Sequence, residues 1–127
     1  MTVRDLNGLP DRLEPVSMHV TMEKIRLYAD IVDDYNPIHV DPEFAASTPL
    51  KGIIAHGTMS LALVWQTLRA SFPADVIERT HLEIRFVKPV RIDDRLTTVG
   101  ERDAEGWLVS VVNQENVAVI EGHASIV

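Results

Sequence analysis

Residues 34 to 45 read Asp34-Tyr35-Asn36-Pro37-Ile38-His39-Val40-Asp41-Pro42-Glu43-Phe44-Ala45, which places a carboxylate, an amide and an imidazole within one short turn. General acid/base catalysis needs two proton-exchanging groups that converge on one water or one substrate proton, and a loop can bring Asp34 and His39 together in that way. Pro37 restricts the turn, and Asn36 between the two fits a supporting role that orients them. Each residue also has a plainer reading: an Asx-turn at Asp34, a hydrogen-bonded loop histidine at His39, and a pre-proline turn residue at Asn36. Asp41 before Pro42 reads as the N-cap of a helical turn beginning near Glu43.

A second block, Ile54-Ala55-His56-Gly57, leads directly into a long apolar stretch. His56 reads as a structural histidine paired to a backbone carbonyl. Asp34, His39, Asp41 and His56 are all common metal-ligand types, but their spacing matches no standard metal site, and no metal or cofactor is expected.

The two blocks together, DYNPIHVDPEFAA and IAHG, resemble those of the MaoC-like or R-specific enoyl-CoA hydratases (hydratase 2 type) of the hotdog superfamily. The resemblance extends over most of the chain beyond residue 16. It implies an α+β hotdog fold, an antiparallel sheet wrapped around a long central helix. It also implies a lyase that interconverts a trans-2-enoyl thioester and an (R)-3-hydroxyacyl thioester by adding or removing water. Asp34 and His39 would then share the acid and base work at Cα and Cβ, with Asn36 in support. The backbone N–H of Gly57 would hold the thioester carbonyl oxygen, a task suited to the unpaired amides at a helix N-terminus. His56, Thr58 and Trp65 would lie along the substrate. Asp33 before Asp34, and Thr58 after His56-Gly57, differ from the residues frequent in the family. Within the hotdog superfamily the alternatives are an acyl-CoA thioesterase and a non-catalytic acyl-thioester-binding subunit. The first needs a carboxylate on the central helix, and Thr58 to Leu68 has none.

Several elements must position these residues. Residues 1 to 15, with Gly8, Pro10 and Pro15, read as an irregular lead-in. Val16 to Val20 suits a short strand. Thr21 offers an N-cap, and Ile25, Tyr28, Ala29 and Val32 recur at helical spacing, so a helix is predicted over Met22 to Val32. Pro37 and Pro42 bias residues 33 to 42 toward an irregular loop. Glu43 to Ser47 makes one helical turn, and residues 48 to 52 form a second loop. His56 to Ala70 is apolar on nearly every face, the mark of a buried helix. Leu82, Ile84 and Phe86 alternate with His81, Glu83 and Arg85 as in a half-buried strand. Arg95 to Arg102, Trp107 to Gln114 and Val117 to Val127 complete what reads as a consecutive antiparallel meander. The expectation is a single domain over residues 1 to 127.

Hydrophobic residues make up 46% and charged residues 24% of the 127, enough apolar material for a packed core. The net charge of −7, with 12 scattered Lys and Arg, repels a nucleic-acid backbone. The absence of cysteine excludes disulfides and a thiol nucleophile. No stretch is long and apolar enough to span a bilayer, and the N-terminal residues lack a signal-peptide core, so a cytoplasmic protein is expected. Lys51 and Lys88 read as solvated charges able to meet coenzyme A phosphates, and His19, His81 and His123 as surface or sheet residues. The resemblance implies an acyl thioester partner on coenzyme A or acyl carrier protein, and a homodimer or higher homo-oligomer.

Overall fold

In a computed structural model, which describes residues 6–127, a five-stranded antiparallel sheet curves around one long helix. After a 3-10 turn at Leu6–Gly8 come β1 (Ser17–His19), α1 (Met22–Val32), α2 (Pro37–Val40), α3 (Pro42–Ala46), α4 (Gly57–Ser71) and α5 (Ala74–Ile77). Strands β2 (Thr80–Phe86), β3 (Arg95–Arg102), β4 (Trp107–Val112) and β5 (Ala118–Ile126) follow. The first five residues of the lead-in lie outside the described residues. Among the described residues no helix is long and apolar enough to cross a membrane.

The sheet order is β1-β3-β4-β5-β2, so the strands after α4 are not a consecutive meander. Strand β2 pairs with β5, from Thr80 opposite Ile126 to Phe86 opposite Ile120. The reason is in the connections. The loops after β3 and β4 are of hairpin length, whereas residues 87–94 exceed the roughly 2–5 residues of a hairpin loop and carry the chain to the other edge. On the way this segment passes the start of α4, where Ala55 N–H donates to the Val90 carbonyl (2.8 Å).

Helix α4 buries Met59, Ser60, Leu63, Val64, Thr67 and Leu68. Its apolar residues share one core with Leu96, Trp107, Val109, Val111, Ile120 and Ala124 from the sheet. The lead-in belongs to this core as well, since Leu9 and Leu13 are buried in it. It is tied down by polar anchors on its backbone. Arg102 donates to the Leu6 and Leu9 carbonyls (2.7 and 3.0 Å) and lies over the Trp107 ring, whose Nε1–H donates to Pro10 O (2.9 Å). Thr67 donates to the Glu14 carbonyl. The prolines and glycine make the segment irregular without making it loose.

The turn between β3 and β4 contains a separate charge arrangement. The Asp103 carboxylate accepts from His123 Nε2 (3.0 Å) and from the Glu105 and Gly106 amides (2.9 and 2.8 Å). The His123 bond first, then the amides, hold its carboxyl below the usual aspartate range. A carboxylate depressed in this way stabilises the fold above its unfolded value, and that contribution is lost as pH falls through the folded value. Asp103→Asn is therefore expected to lower the urea midpoint at pH 7, with the gap closing as the pH drops below about 4. A gap that is constant with pH would show that the charge is irrelevant.

Candidate active site

The segment that carries Asp34 and His39 is more regular than its prolines suggest. Helix α1 begins at the N-cap Thr21, whose side chain accepts from Lys24 N–H, and ends at Asp33, which takes a left-handed conformation (φ 54°). The chain then turns sharply. Residues 37–40, read from the sequence as loop, form the short helix α2, and the helical turn expected near Glu43 is α3, with Pro37 and Pro42 in the first turns of the two. Proline is tolerated there because the first amides of a helix have no intrahelical partner. Asn36 caps α2 by accepting from Ile38 N–H, and Asp41 caps α3 by accepting from Glu43 and Phe44 N–H.

This folding fixes one oxygen of Asp34 and one nitrogen of His39. Asp34 Oδ1 accepts the Asn36 amide (3.2 Å), which leaves Oδ2 without a hydrogen bond among the described residues. His39 Nδ1 lies 2.7 Å from the Ile54 carbonyl. A carbonyl only accepts, so Nδ1 carries the proton and Nε2 is left free to exchange one. The Ile54 backbone is held in place by its own N–H, which donates to the Ile38 carbonyl (3.2 Å).

His56 provides the back wall. It is 2% exposed, and its Nε2 donates to the Asp34 carbonyl (3.0 Å). Its ring stacks on His39 with centroids 3.9 Å apart at 26°, and Tyr28 meets its edge at 5.2 Å. The side chain thus braces both members of the pair. One ligand-type atom each from Asp34, His39 and His56 lies within 4.8 Å of the others. Chelation needs lone pairs that converge on a point about 2 Å from each nitrogen. Near-parallel stacked rings direct their lone pairs side by side, so the cluster suits proton transfer rather than metal binding. His56→Ala is expected to lower kcat about tenfold further than His56→Gln, because a glutamine amide can still donate to the Asp34 carbonyl. Equal kcat values for the two variants would remove that bond from the account.

Gly57 is the first residue of α4, and His56 at the N-cap makes no side-chain bond to the helix amides. The 15-residue helix therefore presents unpaired N–H groups and the positive end of its dipole next to His56, which stacks on His39. A Cβ at residue 57 would lie 3.0 Å from the Phe86 ring, so the glycine keeps that amide approachable. A groove of about 280 Å³ opens here, lined by Gly57, Ser60, Phe86, Val87 and Lys88 among others.

The expected site residues divide into two groups. Asp34, Asn36, His39, His56 and Gly57 come together. Thr58 accepts from the Tyr28 hydroxyl (2.8 Å) and so ties α4 to α1. Trp65 packs half-buried against the core and does not line the groove. Sequence reasoning missed three contributors: the Ile54 carbonyl, which cannot be read from residue type; Tyr28, which was read only as part of a helical stripe; and Phe86, which was read as an inward strand residue although it is 56% exposed.

The MaoC like domain family model matches residues 10–123. The chain belongs to this family. It is 34% identical over 113 residues to the 3-hydroxyacyl-thioester dehydratase Z of Mycobacterium tuberculosis, covering 83% of this chain and 74% of the relative. It is 32% identical over 113 residues to the (R)-specific enoyl-CoA hydratase of Rhodospirillum rubrum, covering 84% and 78%. It also matches the dehydratase X of M. tuberculosis at 36% identity over 89 residues, but spans only 29% of that longer protein. The unliganded R-hydratase of Pseudomonas aeruginosa superposes with a TM-score of 0.75 at 26% identity, covering 92% of this chain and 79% of that one. The fold is that of the hotdog R-hydratases, and the MaoC-like chain matches hydratases and dehydratases by both sequence and structure.

Proposed function

We propose that this MaoC-like protein adds water reversibly across a trans-2-enoyl thioester to give an (R)-3-hydroxyacyl thioester. The observation that carries the reading is the 2.7 Å contact of His39 Nδ1 with Ile54 O, which commits Nδ1–H and leaves Nε2 to exchange a proton, in a side chain with a nitrogen within 4.8 Å of an Asp34 carboxylate oxygen. Asp34 and His39 hold one water. One of them takes its proton as the oxygen bonds to Cβ, and a proton is delivered to Cα, so that one water is consumed in full. Negative charge on the thioester oxygen meets the Gly57 N–H, where a helix N-terminus stabilises it. Asn36 acts through the turn it caps and not on the substrate.

The substrate is an acyl thioester of coenzyme A or acyl carrier protein, and Lys88 on the groove rim is placed to meet a phosphate of either. A cytoplasmic setting suits such a substrate. Residues 1–127 act as one domain, and we read the working unit as a homodimer. Strand β2 ends one edge of the sheet, and Phe86 and Val87 expose apolar surface there beside the groove.

Incubation with crotonyl-CoA tests the reaction. Loss of enoyl absorbance with formation of (R)-3-hydroxybutyryl-CoA is the expected result. Thiol release without hydration would indicate a thioesterase, although α4 carries no carboxylate. No reaction on short, long or branched enoyl-CoAs would indicate a binding subunit.

A further inference from the structure

Ser60 stands out among the buried polar residues of α4. Thr67, two turns on along the same face, donates to the Glu14 carbonyl, whereas Ser60 Oγ has no hydrogen-bond partner among the described residues at 1% exposure. A buried hydroxyl left unpaired is costly, and an alanine at this position would avoid the cost. Helical serines often relieve it by bonding to a carbonyl one turn back, and Ser60 does not.

Its position suggests what it is kept for. Ser60 lies three residues beyond Gly57 on the same helical face, and side chains on a helix lean back toward its N-terminus. It lines the same groove as Gly57, in walls that are apolar apart from Lys88. The first-turn amide of α4 and this hydroxyl are thus two donors on one mostly apolar cleft.

We infer that Ser60 Oγ–H is a second donor to the thioester carbonyl oxygen, acting with the Gly57 N–H as a two-point oxyanion hole. The inference rests on the acyl-thioester reading above. The Ser60 hydroxyl is already buried, and both donors are held on one helix before the negative charge develops, which is the condition under which such groups act most strongly. The empty hydrogen bond of the free protein is filled by the substrate.

Two measurements test this. In the first, Ser60→Ala lowers kcat for crotonyl-CoA hydration by about ten- to a hundredfold with little change in KM, while Ser60→Thr, which keeps the hydroxyl, retains most of the activity. The thermal midpoint of Ser60→Ala does not fall, because no bond within the protein is lost. In the second, butyryl-CoA labelled with carbon-13 at the carbonyl is bound, and the carbonyl stretch is followed by infrared difference spectroscopy. The wild type lowers the frequency, and Ser60→Ala lowers it less. Butyryl-CoA has no double bond to hydrate, so this reading survives even if the enzyme proves inactive toward enoyl-CoA, and the two ideas fail separately. An unchanged carbonyl frequency in Ser60→Ala, or an activity loss that follows a fallen thermal midpoint and is not rescued by threonine, overturns the assignment.

Discussion

Asp34→Asn and His39→Asn each lower the hydration rate constant by about three orders of magnitude while the protein stays folded. Both substitutions preserve the local structure and remove only the proton chemistry. An asparagine at residue 34 still offers an oxygen to the Asn36 amide, and one at residue 39 places an N–H close to where Nδ1 donates to Ile54 O. Asp34 is exposed and His39 half-buried, so thermal midpoints should stay within about 2 °C of the wild type. The double variant should be scarcely slower than either single one, since the two groups serve one water and fail as a unit. A single variant that keeps more than about a tenth of wild-type kcat, in a folded protein, would show that its side chain does not exchange the proton.

The same residues show which features could be read from the sequence. The Asp34 to His39 spacing and the IAHG block single out residues that the fold brings together, because these are local patterns of residue type. The bounds of α1 and β3 followed from helical and alternating periodicity, and the caps at Thr21 and Asp41 from their side chains. Only Pro37 suggests a loop where the structure has a helix, because its bias on Asn36 does not extend to the residues after it. Pro37 and Pro42 each follow a capping residue, and that pairing starts a helix. Strand order was hidden because β2 finds its partner at the far end of the chain, a non-local pairing that residue period does not encode. Which face of α4 meets the groove is not legible in so apolar a helix, and Trp65, outside the groove lining, packs against the core. Ser60 was overlooked for the same reason, although a lone hydroxyl between Met59 and Leu61 was a visible departure from the apolar pattern.

The strand order also makes one glycine indispensable. Gly122 on β5 pairs with Ile84 on β2 and with Val109 on β4. A Cβ there would lie 2.2 Å from the Glu83 carbonyl oxygen and 2.9 Å from Ile84 Cα. These are backbone atoms of the neighbouring strand, so no side-chain rotation relieves the clash and the β2–β5 ladder must part. Gly122→Ala is expected to cost about 3 kcal/mol, the upper end of ordinary overpacking, and to lower the thermal midpoint by roughly 10 °C in a domain of this size. Gly122→Val should accumulate only as insoluble or unfolded chain. The functional consequence follows from what β2 carries: it ends in Phe86, and Val87 to Val90 beyond it form the wall of the groove facing Gly57. Residual folded Gly122→Ala should therefore show a raised KM with Asp34 and His39 undisturbed. Gly100 provides the control, because a Cβ there meets only the Leu13 side chain at 2.3 to 2.9 Å. Leu13 lies in the lead-in, away from that wall, so Gly100→Ala should destabilise the fold and leave the KM of the folded fraction unchanged. Equal KM changes in the two variants would show that β2 does not shape the acyl groove.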